Sequence, residues 1–61
     1  MSHYRIYFLN ARNLITGVEE GDFENDDRAL DRARQVLESH RAVELWTGTR
    51  WVDHLMKRVA A

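Results

Sequence analysis

The sequence predicts an α+β domain of ββαββ order: a four-stranded, mainly antiparallel sheet with one helix packed on one face. Three observations predict it. Residues 25–40 carry apolar side chains at helical spacing, with Ala29, Leu30, Ala33, Val36 and Leu37 on one stripe. The segments on either side alternate in the manner of strands. Gly48, in Thr47-Gly48-Thr49, stands between two alternating runs as a hairpin turn. A helix of this kind needs an apolar surface against its stripe, and the flanking strands supply one.

His3–Leu9 reads as the first strand, with Tyr4, Ile6 and Phe8 on one face and Arg5, Tyr7 and Leu9 on the other. Bulky side chains on both faces suit a central position. Asn10–Asn13 is a polar hairpin connection. Leu14–Glu20 is the second strand, and Gly17 within it marks a bulge or an edge. Gly21–Glu24 leads into the helix, where Asn25 or Asp26 is the N-cap and Asp26 and Asp27 complement the dipole. On the helix, Arg34 and Glu38 form an opposite-charge i,i+4 pair, and Asp27 and Asp31 a like-charge one. His40 and Arg41 lie near the negative end, and without a glycine to cap it the exit is expected to be irregular.

Ala42–Thr47 and Arg50–Leu55 are the third and fourth strands. Val43 and Leu45 face the helix with Ile6 and Phe8, whereas Glu44 and Trp46 face away. In the fourth strand Trp51, Asp53 and Leu55 alternate with Arg50, Val52 and His54, and alternation leaves open which of Trp51 and Val52 points inward. Residues 56–61 extend as a helical turn or fray. The most economical strand order is 2-1-3-4, and the whole chain, 1–61, forms a single domain.

The run His3-Tyr4-Arg5-Ile6-Tyr7-Phe8-Leu9, the helix entry Asp26-Asp27 followed by Ala29-Leu30, and Val43-Glu44-Leu45-Trp46-Thr47-Gly48-Thr49-Arg50 together resemble a family of very small bacterial proteins of unknown function. The resemblance covers residues 3–55. It implies a conserved small fold, and it implies no activity, cofactor or catalytic residue.

A chain of 61 residues buries only about 60% of its unfolded surface, which leaves a thin core. With no cysteine, disulfides and thiolate metal sites are excluded, so stability rests on packing or self-association. The net charge of −1 argues against a generic polyanion binder. The charge is uneven. Glu19, Glu20, Asp22, Glu24, Asp26 and Asp27 form an acidic run, while Arg50, Lys57 and Arg58 stand against Asp53 alone near the other end. Such separation favours contacts between copies. No stretch approaches the ~20 apolar residues of a membrane span. The first residues lack the pattern of a secretory signal. The expectation is a soluble cytoplasmic protein.

The acidic run lacks the ligand spacing of a calcium loop, and a solvated loop with a capped helix start accounts for each acid. His3, His40 and His54 are widely spaced, no nucleophile motif accompanies them, and Ser2 and Ser39 are the only serines. They read as surface histidines, with His40 near the helix C-terminus. No catalytic, cofactor-binding or metal-ligating residue is assigned, and the chain has little room for a pocket of ~300 Å³, so a non-enzymatic module is expected.

The more specific feature is the sheet face that one helix leaves uncovered. Arg5, Tyr7, Glu44, Trp46 and Arg50 are the candidate interface residues there. A homodimer is the first expectation, because Trp, Tyr and Arg are favoured in protein interfaces. Stacking of single-stranded nucleic acid on the aromatic face is the alternative, disfavoured by the charge balance. A ligand site between subunits comes third.

Overall fold

The computed structural model describes residues 1–57. The elements are β1 (Ser2–Leu9), β2 (Ile15–Phe23), α1 (Asp26–Leu37), β3 (Ala42–Thr47) and β4 (Arg50–Met56). They form one four-stranded sheet of order β2-β1-β3-β4, with every neighbouring pair antiparallel and α1 packed on one face. This is the ββαββ arrangement and the strand order that the sequence predicts. Met56 closes β4, and the rest of the expected tail, 58–61, lies outside the described residues.

The core is the meeting of Tyr4, Ile6, Val43 and Leu45 on the sheet with Ala29, Ala33 and Val36 on the helix. Ala29 and Ala33 have no exposed surface, so the helix backbone closes directly onto the strands. Leu30 and Leu37 are half-buried flanks rather than the centre of the stripe. The two alanines occupy the line of closest approach, and the longer leucines spread to either side of it.

The helix starts where its cap dictates. Asn25 is extended, and its side-chain oxygen accepts from the Arg28 N–H at 3.0 Å. It ends at Leu37, short of the expected His40, and leaves through a tightened turn in which Ser39 N–H donates to Val36 O and His40 N–H to Leu37 O, both at 3.1 Å. The His40 Nδ1–H also donates to Val36 O at 2.9 Å, and Lys57 Nζ to Glu38 O at 2.6 Å. These donors satisfy carbonyls that a helix end leaves free. Arg34 turns to Asp31, 3.1 Å away, rather than to Glu38.

β2 runs past the predicted Glu20 to Phe23. Gly21 belongs to the strand because its bare backbone gives the Phe23 ring room: a Cβ there would lie 3.3 Å from that ring. Phe23 in turn meets Tyr4 edge-on, with ring centroids 5.8 Å apart. At the other end of β2 the register with β1 slips between Phe8 and Leu9, leaving Thr16 as the extra residue beside Gly17. A second slip, between Leu45 and Trp46, makes Val52 the extra residue of β4.

Candidate interface on the open sheet face

Opposite the helix, the sheet presents a face that no described element covers. Strand register orders its side chains into rows. One end row is apolar throughout: Ile15, Leu9, Ala42, Met56. Next come Val18, Tyr7, Glu44 and His54, then Glu20, Arg5, Trp46 and Trp51, and finally Asp22 and His3. Leu9 and Ala42 are buried, but Ile15 is 63% exposed, Met56 66%, Trp51 52% and Val18 46%. Polarity therefore changes across the face, from an apolar end near the β1–β2 connection to a charged corner on β1 and β2.

That corner is internally neutralised. The His3 ring nitrogens lie 2.9 Å from Glu20 Oε1 and 3.0 Å from Asp22 Oδ1, and Arg5 Nε donates to Glu20 at 3.3 Å. Hydrogen bonding to Glu20, then to Asp22, raises the His3 imidazole above its ordinary value. His3, then Arg5, holds the Glu20 carboxyl below the usual range.

In the middle of the face, Trp46 Nε1–H donates to Glu44 Oε1 at 3.0 Å. His54 Nδ1 stands 3.4 Å from the other Glu44 oxygen, too long for a firm hydrogen bond. The His54 Nε2 is out of solvent and has no hydrogen-bond partner among the described residues. Beside these residues runs a groove of about 430 Å³ lined by Tyr7, Ile15, Glu44, Trp46, Gly48 and Thr49. It exceeds the ~300 Å³ of a small-ligand pocket, so the expected lack of room does not hold on this face.

Four of the five sequence-predicted interface residues, Arg5, Tyr7, Glu44 and Trp46, share the open face. Arg50 does not. It pairs with Thr47 on the helix side and reaches Asp26 at the start of α1, 3.0 Å away. The Val52 bulge is the reason: one extra residue reverses the inward–outward alternation for everything before it in β4. The same reversal puts Trp51 opposite Trp46 on the open face, while Val52 packs against the core. Trp51 is thus an interface candidate that alternation alone did not assign, because a bulge has no dependable sequence signature; His54 joins it on this face through its pairing with Glu44.

The acidic run is dispersed because alternate residues of β2 face opposite ways. Glu19 turns to the helix, where Arg32 grips it through Nε at 2.6 Å and Nη2 at 2.9 Å and holds its carboxyl below the usual range. Glu20 and Asp22 turn to the open face. Among the described residues no group of three or more His, Asp or Glu is placed to hold a metal. His3 and His54 lie on the open face, whereas His40 stacks on Phe8 on the helix side, with centroids 4.2 Å apart. A second cleft, of about 260 Å³, lies beside His40, Arg32 and Glu19. Glu19, Arg32, Gln35 and His40 in it already have hydrogen-bond partners within the chain, and the Glu19–Arg32 pair ties the helix to the edge strand.

No family model, curated protein or solved structure matches this chain. The chemistry of the open face therefore has to be judged from its own residues. It combines large exposed apolar side chains with a charged corner that carries its own counter-ions. Among the described residues no helix is long and apolar enough to cross a membrane.

Proposed function

We propose that this protein is a small non-catalytic module that works as a homodimer, two copies meeting through their open sheet faces. The observation that carries the reading is the apolar surface of the face: Ile15 and Met56 in the end row, Val18 in the next and Trp51 in the one after are each about half exposed or more. Four strands at ~4.8 Å spacing and about seven residues at ~3.4 Å rise give on the order of 500 Å² per copy. Two copies reach roughly 1,000 Å², the lower bound of a specific interface. A two-fold axis through the apolar rows stacks them on each other and leaves the neutralised His3–Glu20 corners at the rim.

Edge-to-edge pairing through β4 is less favoured. β4 is bent by its bulge, and Asp53 Oδ1 already accepts from the His54 N–H at 2.8 Å. A cytoplasmic setting is part of the proposal, and a chain free of cysteine suits it.

Stacking of single-stranded nucleic acid on Tyr7, Trp46 and Trp51 is the second reading. The face offers it little positive charge, because Arg5 is engaged by Glu20 and Glu44 sits at the centre. Sedimentation of the parent, Trp46→Ala and Trp51→Ala from micromolar to millimolar concentration tests the dimer. The parent is expected to dimerise and each variant to weaken association roughly tenfold or more. A parent that stays monomeric at millimolar concentration, or one that binds oligonucleotides with steep salt dependence instead, would overturn the reading.

A further inference from the structure

We propose that the Glu44–His54 pair makes docking of the second copy proton-coupled: the two open faces close on it only as a charged pair. The inference rests on the dimer reading above and concerns the regulation of that same surface.

Glu44 and His54 face each other across β3 and β4 in the second row of the face, next to the apolar end. Each side chain is about one-third exposed in the single chain, at 30% and 31%, so water still reaches the carboxylate. A second copy on this face removes that water. A carboxylate left unpaired in an apolar contact is costly, whereas the same carboxylate beside an imidazolium is neutral as a pair. The Trp46 Nε1–H already holds one Glu44 oxygen and leaves the other turned toward His54. The contact to His54 is open by a few tenths of an ångström relative to a charge-assisted hydrogen bond, so protonation has a bond to tighten.

Among the described residues, the rest of the surroundings supplies no free positive charge. Across β3 from His54 lies Tyr7, whose side chain has no cationic form. Arg5, in the next row of β1, is engaged by Glu20 of β2. On β4 itself, Asp53 is turned onto the backbone of His54, and the Lys57 ammonium is bound to Glu38 O at the helix end. Val18 closes the row on β2. The counter-charge for Glu44 within this row is His54.

Histidine charges between about pH 5 and 8, so association should take up protons in that range. Uptake of one proton per subunit makes the dimer dissociation constant change by at most about a hundredfold per pH unit. The test is sedimentation equilibrium of the full chain at pH 6, 7 and 8, with His54→Gln, Glu44→Gln and His3→Gln beside the parent. The parent is expected to bind at least about tenfold more tightly at pH 6 than at pH 8. Glu44→Gln should lose the pH dependence and dimerise more tightly than the parent at pH 8, because no carboxylate is left to neutralise. His54→Gln should also lose the pH dependence. His3→Gln should keep it, since His3 belongs to the corner at the rim. A parent dimer equally tight at pH 6 and 8, or a pH dependence that survives in Glu44→Gln, would overturn the proton coupling and leave the dimer standing. A parent that is monomeric at every pH would overturn the dimer and the coupling together.

Discussion

Arg50 and Asp26 meet as a two-pronged ion pair, with Nη1–Oδ2 and Nη2–Oδ1 both at 3.0 Å. The Tyr4 hydroxyl donates to the same carboxylate at 2.6 Å. Asp26 thus serves three partners: the positive end of the helix, the start of β4 and the buried Tyr4 of β1. The pair also changes what the charge pattern means. The acidic run and the basic end, far apart in the sequence, are joined within one molecule by this pair.

Arg50, and then Tyr4, holds the Asp26 carboxyl below its ordinary range. A carboxyl depressed in the folded state stabilises above its unfolded value, near pH 4, and that stabilisation is lost as pH falls through the folded value. Asp26→Asn is expected to lower the melting temperature at neutral pH and to flatten the acid limb of the stability curve. Melting curves from pH 7 down to pH 2 check this, and an acid limb as steep as the parent's would detach Asp26 from it.

Leu45 is completely buried, whereas Leu37 only flanks the core. Leu45→Ala is expected to cost about 2–5 kcal/mol, enough to unfold a chain this small. Leu37→Ala should cost about 1–2 kcal/mol, because part of its surface never leaves water. Urea unfolding compares them, and equal losses would mean that the leucines share one environment.

Gly48 has φ 59°, and a Cβ built there would meet nothing within 4 Å. The cost of a side chain at this position is therefore backbone strain alone. Gly48→Ala should destabilise by about 1–2 kcal/mol. Thr49→Ala, its neighbour in the turn, should stay within about 0.5 kcal/mol of the parent. Similar losses for both would place the strain elsewhere in the hairpin.

Gly17 lies against the Phe8 ring, and a Cβ there would stand 3.0 Å from Cδ2. The ring has His40 stacked on it, so it cannot move freely away. Gly17→Ala is expected to cost about 1–3 kcal/mol through overpacking. Combining it with Phe8→Leu should recover part of that loss, which a double-mutant cycle measures directly. Strictly additive losses would show that the two positions do not press on each other.

Legibility in the sequence follows how local each cause is. The alternation of Val43, Glu44, Leu45 and Trp46 assigns its faces correctly because β3 is regular over its whole length. The cap is narrowed to Asn25 or Asp26 by sequence, and Asn25 fills it, because capping depends on residues within a few positions. Arg50 was harder. Its face depends on a bulge two residues later, and nothing in Trp51-Val52-Asp53 announces which residue will be left over. The end of β2 fails for a related reason: Gly21 looks like a strand terminator until Tyr4 and Phe23, from two strands, are seen to close over it. The open face was legible as a face, but Trp51 on it was not, since its side follows from the same bulge.

The position of β1 between β2 and β3 has a consequence for how the chain acquires its shape in time. The β1–β2 and β3–β4 hairpins join neighbours in the sequence, and such units close within microseconds. The remaining seam sets Arg5 opposite Trp46, across an intervening strand and helix, and its loop-closure entropy has to be met before any contact along it forms. A ribosome releases β1 well before β3. For that interval the nascent chain carries Tyr4, Ile6 and Phe8 on a strand with one edge bare, and it stays in that state until translation delivers Val43 and Leu45.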